Sequence, residues 1–102
     1  MNFITKTKEF TEDDNHNDIY SMINDKVDNK DKILKFLNSV EPISVLPCPT
    51  TDFIKNKIFC EQSLMYYEKD GYTWSNEIIY HFEKYDLKLD EQFIEYVLNK
   101  VT

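Results

Sequence analysis

Few residues in the chain have the type and spacing to do chemistry. His81 follows Glu77 by four positions within a stretch of helical periodicity, Trp74 to Tyr85, so a carboxylate and an imidazole share one helix face. That spacing suits a carboxylate-oriented general base. His81 also flanks the apolar face of Trp74, Ile78 and Tyr85, and the role expected of it is that of a partly buried structural histidine. His16 lies in the polar run Thr11 to Asn17, TEDDNHN, where solvation is its expected state. No serine or cysteine has a recognisable nucleophile setting, so no catalytic residue is assigned and the chain is not expected to be an enzyme.

Cys48 and Cys60 are the two cysteines, and their separation fits neither a CxxC redox motif nor paired zinc ligands. If strands over 43 to 48 and 58 to 66 pair, the sulfurs could face each other across a hairpin; free thiols are the default without an export signal. The acid pairs Asp13-Asp14 and Asp90-Glu91 lack calcium-loop spacing and read as turn and cap residues. One glycine, Gly71, cannot build a Gly-rich phosphate loop. Neither a metal nor a cofactor is expected.

The elements that must position these residues follow from periodicity and turn chemistry. The 102 residues suffice for one domain with one core, over 1 to 102. Asn2 to Phe10 is strand-like, and Asp18 to Lys26 has Ile19 and Ile23 at helical spacing, with Val27 next. Asn29 can cap a helix over Lys30 to Ser39, with Ile33, Phe36, Leu37 and Val40 on one face. Pro42, Pro47 and Pro49 bracket a strand over Ile43 to Leu46. A strand-rich run, Ile58 to Glu68, leads into Asp70-Gly71, a dipeptide that favours type I′ hairpins.

The helix over Trp74 to Tyr85 has Thr73 or Ser75 as N-cap and Trp74, Ile78, Phe82 and Tyr85 on its core face. Asp90 caps Glu91 to Val101, whose buried stripe is Phe93, Ile94, Val97, Leu98 and Val101, with Leu89 stapled onto Ile94. The expected fold is therefore α+β: a small antiparallel β-meander with N-terminal helices and a C-terminal antiparallel helical hairpin.

Charge narrows the possible partners. Twelve basic residues, all lysine, against nineteen acids give a net charge of -7, the wrong sign for broad contact with nucleic-acid phosphates. No apolar run is long enough to span a membrane, and no signal-peptide core is evident at the start, so a cytoplasmic protein is expected. Residues 61 to 95 hold nine acids and three lysines, and helical projection sets Tyr80 near Glu77 and Glu83, and Tyr96 near Gln92, Asn99 and Lys100, on polar sides. Exposed rings beside carboxylates suit docking of a basic protein. Glu77, Tyr80, Glu83, Glu95 and Tyr96 are the candidate partner-binding residues.

The segment Asp70-Gly71-Tyr72-Thr73-Trp74, continuing through Ile79-Tyr80-His81-Phe82-Glu83-Lys84-Tyr85-Asp86-Leu87 to Phe93-Ile94-Glu95-Tyr96-Val97, resembles the small bacterial immunity proteins of contact-dependent growth inhibition and related polymorphic toxin systems. The resemblance covers the last third of the chain and rests on hydrophobic and aromatic pattern. It implies a protein that binds and neutralises the C-terminal domain of a cognate toxin, often a cationic nuclease. Two other readings stay open: an acidic nucleic-acid mimic or regulator acting on a host or phage nuclease, and a small enzyme using His81.

Overall fold

In a computed structural model, which describes residues 2–60 and 63–101, the chain is mixed α+β, with five antiparallel strands and four helices. The sheet order β1-β4-β5 joins β1 (Ser44–Leu46), β4 (Leu64–Lys69) and β5 (Tyr72–Ser75), while β2 (Thr50–Asp52) and β3 (Lys57–Cys60) form a separate hairpin. Between β4 and β5, Asp70 and Gly71 take φ of 51° and 87°, the two left-handed positions of a type I′ turn, with Lys69 opposite Tyr72. The hairpin expected from Asp70-Gly71 is present.

The strand expected over Ile58 to Glu68 is divided into β3 and β4, and residues 61 and 62 lie outside the described residues. Its second half pairs with β1, Ser44 opposite Tyr66, whereas its first half pairs with β2. Cys48 therefore lies outside the pairing that would have opposed the two sulfurs, and it is a free thiol. The Cys60 side chain lies outside the described residues.

Helix α3 (Asn76–Tyr85) starts later than its periodicity implies, because Thr73 and Trp74 belong to β5. Ser75 is the N-cap, its Oγ accepting from Ile78 N–H at 3.2 Å. Trp74 is fully buried all the same, reaching the core from the strand. Helix α4 (Glu91–Val101) buries Phe93 and Val97, while Ile94 and Leu98 are half-buried against the same core; the Val101 side chain lies outside the described residues. Helix α2 (Lys30–Leu37) buries Ile33, Phe36 and Leu37 and packs on both C-terminal helices, more extensively on α4. Asn29 occupies its N-cap position in a left-handed conformation without a side-chain cap bond, its carbonyl accepting from Lys32 and Ile33 instead.

Two expectations for the N-terminal part are corrected. Within the strand-like stretch, residues 2 to 4 run parallel to β5 through Ile4 N–H to Thr73 O (3.0 Å) and Thr73 N–H to Asn2 O (2.9 Å), Thr7 makes a separate parallel bridge to Asn17, and the end turns into α1 (Lys8–Thr11). Asp18 to Lys26 forms a single 3-10 turn, Ile19–Ser21, capped by Asp18, rather than a longer helix. The backbone beyond it is claimed elsewhere: Asn24 turns left-handed, and the 22–25 segment bonds the α3–α4 link through Asn24 N–H to Tyr85 O, Asp25 N–H to Asp86 O and Lys88 N–H to Met22 O. Ile4 holds the other end of that link, its carbonyl accepting from Asp90 N–H at 2.7 Å.

The core these segments enclose joins Trp74, Ile78, Phe82, Leu87, Leu89, Phe93 and Val97 to Ile4, Ile19 and the buried face of α2. Phe82, on α3, has no exposed surface. Phe82→Ala is expected to cost about 3–5 kcal/mol of stability. Urea titration followed by circular dichroism measures it, and a loss below about 1 kcal/mol would contradict the packing described.

Candidate functional site: a polar and aromatic network on helix α3

The polar side of α3 faces the β2–β3 hairpin. At its start, the Asn76 amide bridges the other sheet, Oδ1 accepting from Met65 N–H (3.0 Å) and Nδ2 donating to Ser63 O (3.1 Å). One residue on, Glu77 Oε2 accepts from Thr51 N–H of β2 at 2.8 Å. A turn later, Tyr80 and His81 both reach the hairpin, followed by Tyr85.

Asp52 is where these contacts converge. It is fully buried, and its Oδ2 accepts from the hydroxyls of Tyr80 (2.6 Å) and Tyr85 (2.7 Å). Its Oδ1 accepts from the N–H groups of Ile54 and Lys55, both at 2.9 Å, which folds the 53–56 turn around the carboxylate. Burial alone would push this carboxyl up, but the four donors outweigh it and hold the group ionised well below the usual carboxylate range. Burial, then the Asp52 carboxylate, pushes the Tyr80 hydroxyl up to about 12 and also raises that of Tyr85, so both phenols remain donors.

His81 is fully buried with both ring nitrogens engaged. Its Nδ1 lies 2.7 Å from Glu77 O, which can only accept, and its Nε2 lies 3.0 Å from Phe53 N–H, which can only donate. These partners fix a neutral ring protonated at Nδ1. Burial lowers its pKa, against the smaller opposing pull of the Glu77 carbonyl and of Asp52 and Glu9. Phe53 stacks on the ring at 5.6 Å and Phe10 meets it edge-on at 5.4 Å. The structural role expected for His81 matches this placement, with burial complete rather than partial. His16 is half-buried rather than simply solvated, its Nδ1 2.7 Å from Thr11 Oγ1 and its Nε2 3.6 Å from Asp13.

The five residues expected to bind a partner are divided by this arrangement. Glu83 and Glu95 are exposed, and among the described residues neither forms an ion pair. Glu77 is half-buried and occupied by Thr51; burial raises its pKa, opposed by that bond. Tyr80, projected as exposed, is half-buried because the hairpin covers it: Phe59 stacks on its ring with centroids 3.9 Å apart, and Lys84 lies over the ring at 5.3 Å. Tyr96 is likewise half-buried, wedged against Phe36 and Tyr72, and its hydroxyl donates to Asp70, which also pairs with Lys100 at 3.2 Å. Among the described residues the Tyr80 and Tyr96 clusters share no ring or hydrogen-bond partner.

The sequence alone assigns neither Asp52 nor Phe53 a role in this network. The available signal was local: an acid preceding a turn between two short β-prone runs, Thr50-Thr51 and Ile58-Phe59, a setting in which Asp binds its own downstream N–H groups. Nothing local ties that turn to Tyr80 and Tyr85, about 30 residues away.

The buried neutral His81 makes stability pH-dependent. Its folded pKa lies below the unfolded value of 6.5, so near that pH the unfolded chain binds more protons. Its stabilisation is complete above the unfolded pKa and is lost as pH falls through the folded one. Glu77, raised by burial, acts with the opposite sign. Urea titrations across this range should show stability falling with acid more steeply in wild type than in His81→Gln; equal slopes would remove the neutral-ring assignment.

The chain matches no protein-family model, no curated protein and no solved structure, and the chemistry of this site rests on its own geometry.

Proposed function

We propose that the protein is an immunity-type binding module of the cytoplasm, which neutralises a basic bacterial toxin domain without catalysing a reaction. The observation that carries this reading is the split between inward and outward charge. Asp52, Glu77 and His81 are consumed by bonds within the fold, while Glu83 on α3 and Glu91 and Glu95 on α4 are exposed carboxylates with no ion pair among the described residues. Both helices are anchored through fully buried side chains, so these acids stand on fixed supports. Together with the net charge of -7, that favours a cationic partner, drawn in by long-range attraction. His81 supports the non-catalytic part, since a general base needs a free nitrogen within reach of substrate.

The partner contact proposed here uses Glu83 and Glu95 directly, with Glu77, Tyr80 and Tyr96 holding the scaffold beneath. Charge reversal by Glu83→Lys with Glu95→Lys should slow association with the C-terminal domain of a toxin encoded beside this protein's gene about tenfold at low salt and flatten its salt dependence, with little change in dissociation. Stopped-flow or surface-resonance kinetics over a range of ionic strength checks this. Failure of the wild-type protein to bind that domain, or to protect cells expressing it, would remove the assignment.

A further inference from the structure

One surface remains unused by the network on α3. Among the described residues five large hydrophobics are exposed, and three of them fall within four positions on or beside β1: Ile43 (63%), Val45 (57%) and Leu46 (40%). β1 is an edge strand, and neither it nor its flanks carry the lysines that commonly guard such edges. Next to it lies a groove of about 430 Å³ across the outer face of the β1-β4-β5 sheet. Its lining includes Tyr66 of β4, Leu46 of β1, and Phe3 and Phe10 of the N-terminal segment. Two exposed acids, Glu12 and Glu68, line it, and no basic residue does among the described residues. The negative charge is felt inside: burial raises the Tyr66 phenol, and Glu77 and Glu12 add to the shift.

We infer that this groove is a docking site for an extended segment of a partner protein that carries an apolar side chain flanked by Lys or Arg. The apolar lining takes the side chain, and Glu12 and Glu68 take the flanking cations. Other occupants fit less well. An anionic lipid surface or a nucleic acid would meet the two carboxylates. A second copy in a two-fold arrangement would bring the same acids face to face. Addition of a strand to β1 is limited by its three-residue length and by Pro42 and Pro47 on either side, so recognition runs through side chains on the sheet face. The assignment does not depend on the partner being a toxin.

The test uses the intact chain and two capped peptides, one alternating Lys with Leu and one alternating Glu with Leu, in an NMR amide titration. The Lys-Leu peptide should shift Ser44, Leu46, Tyr66 and Glu68, and the Glu-Leu peptide should leave them unmoved. Glu12→Lys with Glu68→Lys should weaken binding about tenfold, the sum expected of two exposed ion pairs. Leu46→Ser should weaken it independently, and since all three positions are exposed, the variants should keep the wild-type fold by circular dichroism. Any of four results overturns the proposal: no shifts with millimolar Lys-Leu peptide, shifts confined to α3 and α4, equal binding of the Glu-Leu peptide, or self-association of the wild type that Leu46→Ser abolishes. A wild type that fails against the toxin yet binds the Lys-Leu peptide here would sink the functional proposal and leave this one standing.

Discussion

A carboxylate buried beneath a turn needs donors on every side, and Asp52 obtains four, two from its own turn and two from helix α3. The β2–β3 hairpin that carries it has only two short strands, which alone would be marginal in water. Fastened through Asp52 to α3, it becomes a cover for that helix, and the other contacts depend on its being there. Phe59 can stack on Tyr80, Phe53 can present its N–H to His81, and Thr51 can reach Glu77 only with the hairpin in this position. The ion is tolerated because its lone pairs are satisfied; losing one of its four donors would leave the buried charge incompletely compensated.

Much of the fold was legible where local chemistry and burial agree. The Asp70-Gly71 turn, the Ser75 cap and the apolar stripes of α2 and α4 each follow from a residue's own conformational preference or from helical period. Trp74 fits the periodicity of the helix it precedes, yet sits on β5, since a residue just before an N-cap can keep the same inward direction from a strand. Asp18 to Lys26 shows propensity overruled by tertiary bonds: its backbone serves the α3–α4 link instead of a helical ladder.

The site was less legible because helical projection treats every polar face as facing water. The carboxylate of Glu77 and the ring of Tyr80 lie under a hairpin whose contact with α3 spans about 25 to 30 residues of sequence, and no local pattern announces that pairing. Tyr96 was misplaced for a related reason, as Phe36 of α2 and Tyr72 of β5 converge on it from distant parts of the chain. His81 was better read, because its position beside Ile78 and Phe82 put it near the core whatever covered the other side. What the surface then offers is divided between acids on α3 and α4 and an apolar groove on the sheet.

Trp74 is the one tryptophan of the chain, fully buried, with the Tyr67 ring stacked 6.0 Å away and Phe36 and Phe93 at similar range. Its indole N–H has no hydrogen-bond partner among the described residues. Tryptophan emission of this protein, excited selectively over its seven tyrosines, is therefore a single-site signal from an apolar interior, remote from solvent quenchers. A partner that settles on the acidic helices or on the sheet face without deforming the molecule would leave that emission unchanged. A spectral shift on complex formation would instead report that the interior itself had rearranged, separating rigid docking from binding with reorganisation without any added label.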